Sequence, residues 1–231
     1  MRGEHMRALL VCMAVLALPG CEQDSGKLTP KTQEQKLLYM LGVGMAREQA
    51  VLRLTPEELE YVYSGLRDQV LREKRAMELE MTNAVIDMAN RRLAEQVARG
   101  QQESKPFLEQ AAREEGMVKT GSGLLFRSLV EGTGPSPSTA DEVKVHFRGL
   151  LMDGTEFNNS YEQGQPSQLL VSKALPCLAE GLQRMKVGGK AKLVCPSELA
   201  FQNAGLRDVV APGSAVVFEL ELLETSPAGP K

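Results

Sequence analysis

The stretch DGTEFNNSYEQGQP, residues 153–166, sets one aromatic, Phe157, in an acidic turn, follows it with Asn158 and Asn159, and then enters a loop containing Gly and Pro. Phe157 in such a place either plugs a core or lines a pocket. Asn158 accepts a hydrogen bond without bringing a negative charge, and charge-assisted bonds are roughly twice as strong as neutral ones. The usual reactive groups are missing. Past the N-terminal segment His146 is the sole histidine, and a lone His in a strand is more often structural than a ligand. Cys177 and Cys195 fit no zinc spacing. There is no Ser-His-Asp arrangement and no phosphate-cradling loop. A net charge of −3, from 27 Lys and Arg against 30 Asp and Glu, gives no electrostatic basis for nucleic-acid binding. Chemistry here has to come from apolar shape. With 4% aromatic residues and no Trp, any cluster of rings is informative.

The elements that would position Phe157 follow from periodicity. VKVHFRGLL alternates as a strand, AKLVC reads as another, and SAVVFELELLE alternates through Val217, Glu219 and Glu221. Gly121, Gly123, Gly132, Gly134, Pro135 and Pro137 punctuate turns before them. One short helical stretch, about 178–185, sits among the strands. Several antiparallel strands and one helix predict a small α+β domain over 118–225, with an apolar concavity between sheet and helix and a disordered tail over 226–231.

Residues 27–117 read as helical. In LTPEELEYVYSGL, Thr55 is the N-cap, Pro56 the first helical residue, and Glu58 completes a capping box. Leu37, Leu38, Leu41 and Met45 share a stripe upstream, where Gly42 and Gly44 allow close helix contact. Met77, Met81, Val85, Met88 and Val97 share another downstream, and Gly100 and Pro106 are expected to weaken that helix locally. Such stripes need a partner surface. Packing among neighbouring helices is one solution, and a homodimer is the expected one.

The N-terminus reads as a targeting segment. Arg2 and Arg7 precede the apolar run ALLVCMAVLAL, too short for the ~20 residues that span a bilayer. It ends in LPGC, the pattern of a lipobox. Residues 1–20 are thus expected to be a lipoprotein signal peptide, Cys21 the lipidated residue, and 21–26 a tether. Cys177 and Cys195 then remain in an oxidising compartment, either bridged or as two buried thiols.

Three segments, VKVHFRGLLMDGTEFNNSYEQGQP, EGLQRMKVGGKAKLVCPSELAF and VVFELELLE, resemble the FKBP-type peptidyl-prolyl cis-trans isomerases in order and spacing from about Val118 to Glu224. SGLLFRSLVEGTGPSPSTADEVKVHFRG is similar to the start of that domain in the macrophage infectivity potentiator subgroup, bacterial envelope proteins with an N-terminal helical dimerisation domain. LLYMLGVGMAREQA and LTPEELEYVYSGLRD are similar to that domain's helices. The resemblance implies an all-helical dimerisation domain followed by an FKBP-like antiparallel sheet wrapped on one short helix. It also implies a homodimer, a lipid anchor facing the periplasm or cell surface, no cofactor or metal, and proline-containing or unfolded polypeptides as partners.

By the same resemblance the catalytic cup comprises Phe147, Phe157, Asn158, Leu178, Phe201 and Phe218, with Ala174, Leu175, Val209 and Val210 as further substrate-binding residues. Taken singly, Phe147 and Phe218 read as core residues. Together the set holds four of the six Phe in the chain. The physics suits such a cup. An X–Pro amide crosses a barrier of ~18–20 kcal/mol in tens to hundreds of seconds because resonance holds it planar. Twisting destroys the resonance and shrinks the dipole, so an apolar pocket disfavours the planar form more than the twisted one.

Four positions depart from the family pattern. Phe147 stands where the family carries Tyr in VHYxG, and Asn158 where it carries Asp in FDSS. Leu178 replaces the Trp of VIPGW, and Phe201 the Tyr of LAYG. Two phenol hydroxyls, one carboxylate and the indole floor are absent. The expectation is an isomerase of reduced rate assisting folding in the bacterial cell envelope. The alternative is a dimeric chaperone that binds unfolded apolar segments with little or no catalysis.

Overall fold

The computed structural model describes residues 28–48, 52–72, 82–206 and 209–227. The expected signal peptide, Cys21 and the tether lie outside the described residues, as do Met77 and Met81. The chain divides into two compact units, one ending at Met45 and one starting at Ala46.

Helix α1, Gln33–Glu48, carries the first predicted stripe, and Leu37, Leu38, Leu41 and Met45 are all exposed. In the second unit, α2 (Pro56–Leu71) begins as predicted. Thr55 Oγ1 accepts from the Glu58 amide at 3.2 Å, and the Glu58 carboxylate accepts from the Thr55 amide at 2.9 Å. It ends at Arg72 in the left-handed region, φ 57°. No residue of α2 is buried. Its start is tied to α3, Thr82–Ala111, by Arg92, which donates to the Leu52 carbonyl at 2.8 Å and pairs with the Glu58 carboxylate. That bond holds the Glu58 carboxyl below its ordinary 4.5.

Helix α3 differs from expectation. It runs unbroken through Gly100 and Pro106 for 30 residues. Tertiary packing outweighs the local penalty. Phe107, Leu108 and Ala111, just past the proline, close on Leu125, Val194 and Val217, and Gly100 sits against the backbone of residues 212–214. Glu114 then receives Lys192 at 2.9 Å and Arg127 at 3.3 Å.

The described strands are β1 Val118–Lys119, β2 Leu125–Val130, β3 Asp141–Leu150, β4 Glu156–Asn159, β5 Ser167–Leu170, β6 Lys190–Cys195 and β7 Val216–Pro227. They form one antiparallel sheet in the order β1-β2-β6-β7-β3-β4, with β5 also on β3. Strand β7 continues through Pro227, which pairs with Asp141. Helix α4, Pro176–Gln183, packs on β6, and a Cβ on Gly181 would lie 2.2 Å from Leu193 Cδ2. The pleat sends neighbours to opposite sides. Leu193 and Phe218 face the main core with Leu182 and Val145, while Val194 and Val217 face the end of α3. The strand and helix pattern predicts one helix on the sheet; the last turns of α3 supply a second cover.

Cys177 in the first turn of α4 and Cys195 at the end of β6 form a disulfide, with Cα atoms 5.9 Å apart and both residues wholly buried. This resolves the open alternative of bridge or free thiols.

Candidate active site

Phe157 stands on β4, which is hydrogen-bonded to β3. Its ring lies over Gly149, where a Cβ would come 2.6 Å from Phe157 Cζ. Glycine at 149 is what lets the ring lie flat on the neighbouring strand. From there Phe157 meets Phe201 edge-on at 6.0 Å and Phe218 edge-on at 5.9 Å. Both are favoured geometries for aromatic pairs.

Phe218, opposite Gly149 on β7, is 2% exposed and forms the floor of the cluster. Phe147, Phe157, Leu175, Leu178 and Phe201 are half-buried and pack on the same core. Leu175 is the N-cap residue of α4 and Leu178 lies in its first turn, so the disulfide at Cys177 fixes the segment that carries both. Val210 is fully buried in the main core. Val209, in contrast, is 46% exposed, and Ala174, half-buried after the 3-10 turn at Val171–Lys173, is outside the main core cluster. Phe201 and Phe218 thus meet Phe157 directly, Phe147, Leu175, Leu178 and Val210 belong to the same core, and Val209 and Ala174 stand outside it.

Asn158 points to the surface, and its Oδ1 accepts from Gln163 Nε2 at 3.2 Å. Asn159 is structural. It donates to Glu156 at 2.9 Å and accepts from the Tyr161 amide at 2.9 Å, closing the turn after β4.

Sequence reasoning missed Ser160. It is wholly buried. Its Oγ accepts from the Phe147 amide at 2.8 Å and lies 3.0 Å from His146 Nδ1, and its amide donates to the Phe147 carbonyl at 3.0 Å. The residue clips the end of β4 to β3 between Phe147 and Phe157. The signal was present: a Ser directly after a strand bearing a pocket aromatic has to satisfy its hydroxyl somewhere.

The opposite face of β3 is charged. Arg148 donates to Glu156 at 2.7 Å and to Glu219 at 3.1 Å, which holds the Glu156 carboxyl below its ordinary range. His146 stacks on Tyr161 with centroids 4.2 Å apart. Burial, then a bond to Glu221 at 2.6 Å, pushes the Tyr161 phenol up to about 12. These groups brace the strand from behind. Phe201 and Phe218, the described ring partners of Phe157, carry no titratable group.

Two family models match. The one described as FKBP-type peptidyl-prolyl cis-trans isomerase covers residues 134–223, and the domain amino terminal to it covers 34–127. The FKBP-type isomerase FkpA of Escherichia coli is 30% identical over 239 residues, spanning 96% of this chain and 87% of its own. The chain belongs to the FKBP-type peptidyl-prolyl cis-trans isomerases. The Mip isomerase of Coxiella burnetii is 29% identical over 84% of this FKBP-type chain and 87% of its own. The crystal structure of Escherichia coli FkpA superposes with a TM-score of 0.62, covering 87% of this chain and all of that one. The helical segment followed by an antiparallel sheet and helix is thus the arrangement of a known FKBP-type isomerase.

Proposed function

We propose that the hollow around Phe157 receives the proline ring of a polypeptide and accelerates its cis–trans isomerisation, at a rate lowered by the pocket substitutions. The observation that carries this reading is the edge-on triad of Phe157, Phe201 and Phe218, on a core that half-buried Phe147, Leu175 and Leu178 also pack against. These walls exclude water from the prolyl amide. The planar, strongly dipolar amide loses hydration, the twisted amide loses less, and the difference lowers the barrier. Asn158 supplies an acceptor without charge, and that acceptor is already engaged by Gln163. Phe201 has no hydroxyl to donate to the substrate carbonyl. Leu178 leaves the ring a shallower contact than an indole. Desolvation remains and electrostatic preorganisation is reduced.

The test is acceleration of X–Pro isomerisation in a short peptide by the processed protein. Wild type is expected to exceed the uncatalysed rate, and Asn158→Asp combined with Leu178→Trp to raise it about tenfold or more, the worth of one charge-assisted bond. No acceleration by wild type or the double variant, with aggregation of an unfolded client still suppressed, would move the function to binding alone.

The same reading places the protein in the bacterial cell envelope, where it assists folding, held by a lipid on Cys21 and paired as a homodimer through its N-terminal helices. It is supported by the apolar run ending in LPGC, the matched N-terminal domain and the exposed stripe on α1. Cys21→Ser is expected to release the protein from the membrane fraction; retention there would contradict the anchor.

A further inference from the structure

Phe201, edge-on to Phe157 of β4, opens the segment 201–215, described except at 207–208. Its described residues are joined by turn hydrogen bonds. Gly205 donates to the Phe201 carbonyl at 3.0 Å, Leu206 to Val210 at 2.9 Å, and Gly213 to the Gln202 carbonyl at 3.0 Å. Gln202 has φ 52°, in the left-handed region. The Gly213–Gln202 bond thus sets the residue next to Phe201.

The far side of that segment rests on α3. A Cβ on Gly100 would lie 2.2 Å from the Pro212 carbonyl oxygen, and a Cβ on Gly213, φ +74°, would lie 2.4 Å from the Val97 carbonyl oxygen. Two glycines face each other across the contact, and only their bare backbones permit it. One turn on, Ser104 is 4% exposed. Its Oγ donates to the Gly100 carbonyl at 2.6 Å and accepts from the Ala215 amide at 2.8 Å. A buried amide without its acceptor is costly, so Ser104 determines where Ala215 sits.

We propose that Gly100 and Ser104 of α3 are positioning residues for the isomerase: they fix Pro212–Ala215 and, through the Gly213–Gln202 bond and the chain leading from Val210, set Phe201 and the Val209–Val210 wall. The long helix that leads out of the N-terminal region thereby forms the back support of the prolyl site. The inference rests on the hollow around Phe157 being that site.

The test uses the full chain with Ser104→Ala, assayed well below its melting temperature. Exchange of the Ala215 and Gly213 amides is expected to rise about tenfold, and kcat/KM for an X–Pro peptide to fall about fivefold, chiefly through KM, as the wall shifts. Ser104→Thr, which keeps the hydroxyl, is expected to recover both. Glu114→Gln removes the ion pairs at the far end of α3 and is expected to lower the melting temperature with kcat/KM unchanged. If Ser104→Ala does not fold, Ser104→Cys retains the shape with a weaker acceptor and is expected to show the same pattern. Faster amide exchange with a wild-type kcat/KM would overturn the inference, as would equal losses in Ser104→Ala and Glu114→Gln. Wild type is measured alongside. Its inactivity would remove the functional reading, and a shift of the Phe201 ring signals in Ser104→Ala would then decide the positioning role on its own: shifted supports it, unshifted refutes it.

Discussion

The isomerase domain and the helical N-terminal region handle their apolar residues in opposite ways. The sheet buries Leu124, Val145, Leu193, Val216 and Leu222 almost completely and seals α4 to β6 with a disulfide. It leaves the rings of Phe147, Phe157 and Phe201 half open. Helices α1 and α2 bury almost nothing: Leu37 is 62% exposed, Tyr61 80%, and no residue of α2 is buried. A contiguous exposed apolar stripe marks an interaction surface. A half-open aromatic cluster on a rigid core suits a ligand site. The same residue types serve two ends, and backing decides which: the isomerase cluster rests on a closed core, whereas the helical stripes lack a cover within the described chain.

The largest expected effect separates the two regions outright. Leu37→Asp with Leu41→Asp puts charge into the α1 stripe and is expected to abolish self-association, read by light scattering, while kcat/KM on a short peptide stays at the wild-type value. Loss of peptide activity in a folded monomer would show that the regions are not separable in this way. Next, Cys177→Ala with Cys195→Ala is expected to destabilise the sheet domain by about 2–4 kcal/mol, because the bridge closes a short loop in the unfolded chain. Chemical denaturation monitored at the sheet domain reads this loss, and an unchanged midpoint would contradict it. Gly149→Ala drives a methyl into the Phe157 ring. It should cost about 1–3 kcal/mol of stability and lower the isomerisation rate more than the midpoint shift explains.

The smallest effect lies at the α2–α3 tie. Glu58 has a lowered folded pKa, through Arg92 first and the Thr55 amide second. Its contribution is therefore present above the ordinary value of 4.5 and lost as pH falls through the folded value. The gap in melting temperature between wild type and Glu58→Gln should be full at neutral pH and close in acid. An equal gap at both would contradict the linkage. The pair is half-buried and still reached by water, so the gap is small.

Much of this was legible in the residues. The Thr55–Pro56–Glu58 cap and the three long strands follow from local pattern, and local pattern governs them. Phe157 meets Phe201 and Phe218, while Phe147, Leu175 and Leu178 pack on the same main core; their joint role at a prolyl site is the proposal made above. What stayed hidden depends on contacts between distant segments. Gly100 and Pro106 read as weak points of a helix because propensity is a local quantity; their neighbours pack on strands far along the chain, and that packing decides. The pairing of Cys177 with Cys195 needed the approach of α4 to β6. Ser160 and Ser104 looked like ordinary polar residues, and only the tertiary fold shows which buried amide each one satisfies.

The central claim is that an apolar aromatic hollow performs the isomerisation. Its most direct test is the X–Pro isomerisation rate of Phe157→Ala beside wild type, both verified as folded. Removing the ring that touches both Phe201 and Phe218 should lower kcat/KM by about one to two orders of magnitude, the worth of ~1.4–2.8 kcal/mol of transition-state stabilisation. An unchanged rate in the folded variant would contradict the account.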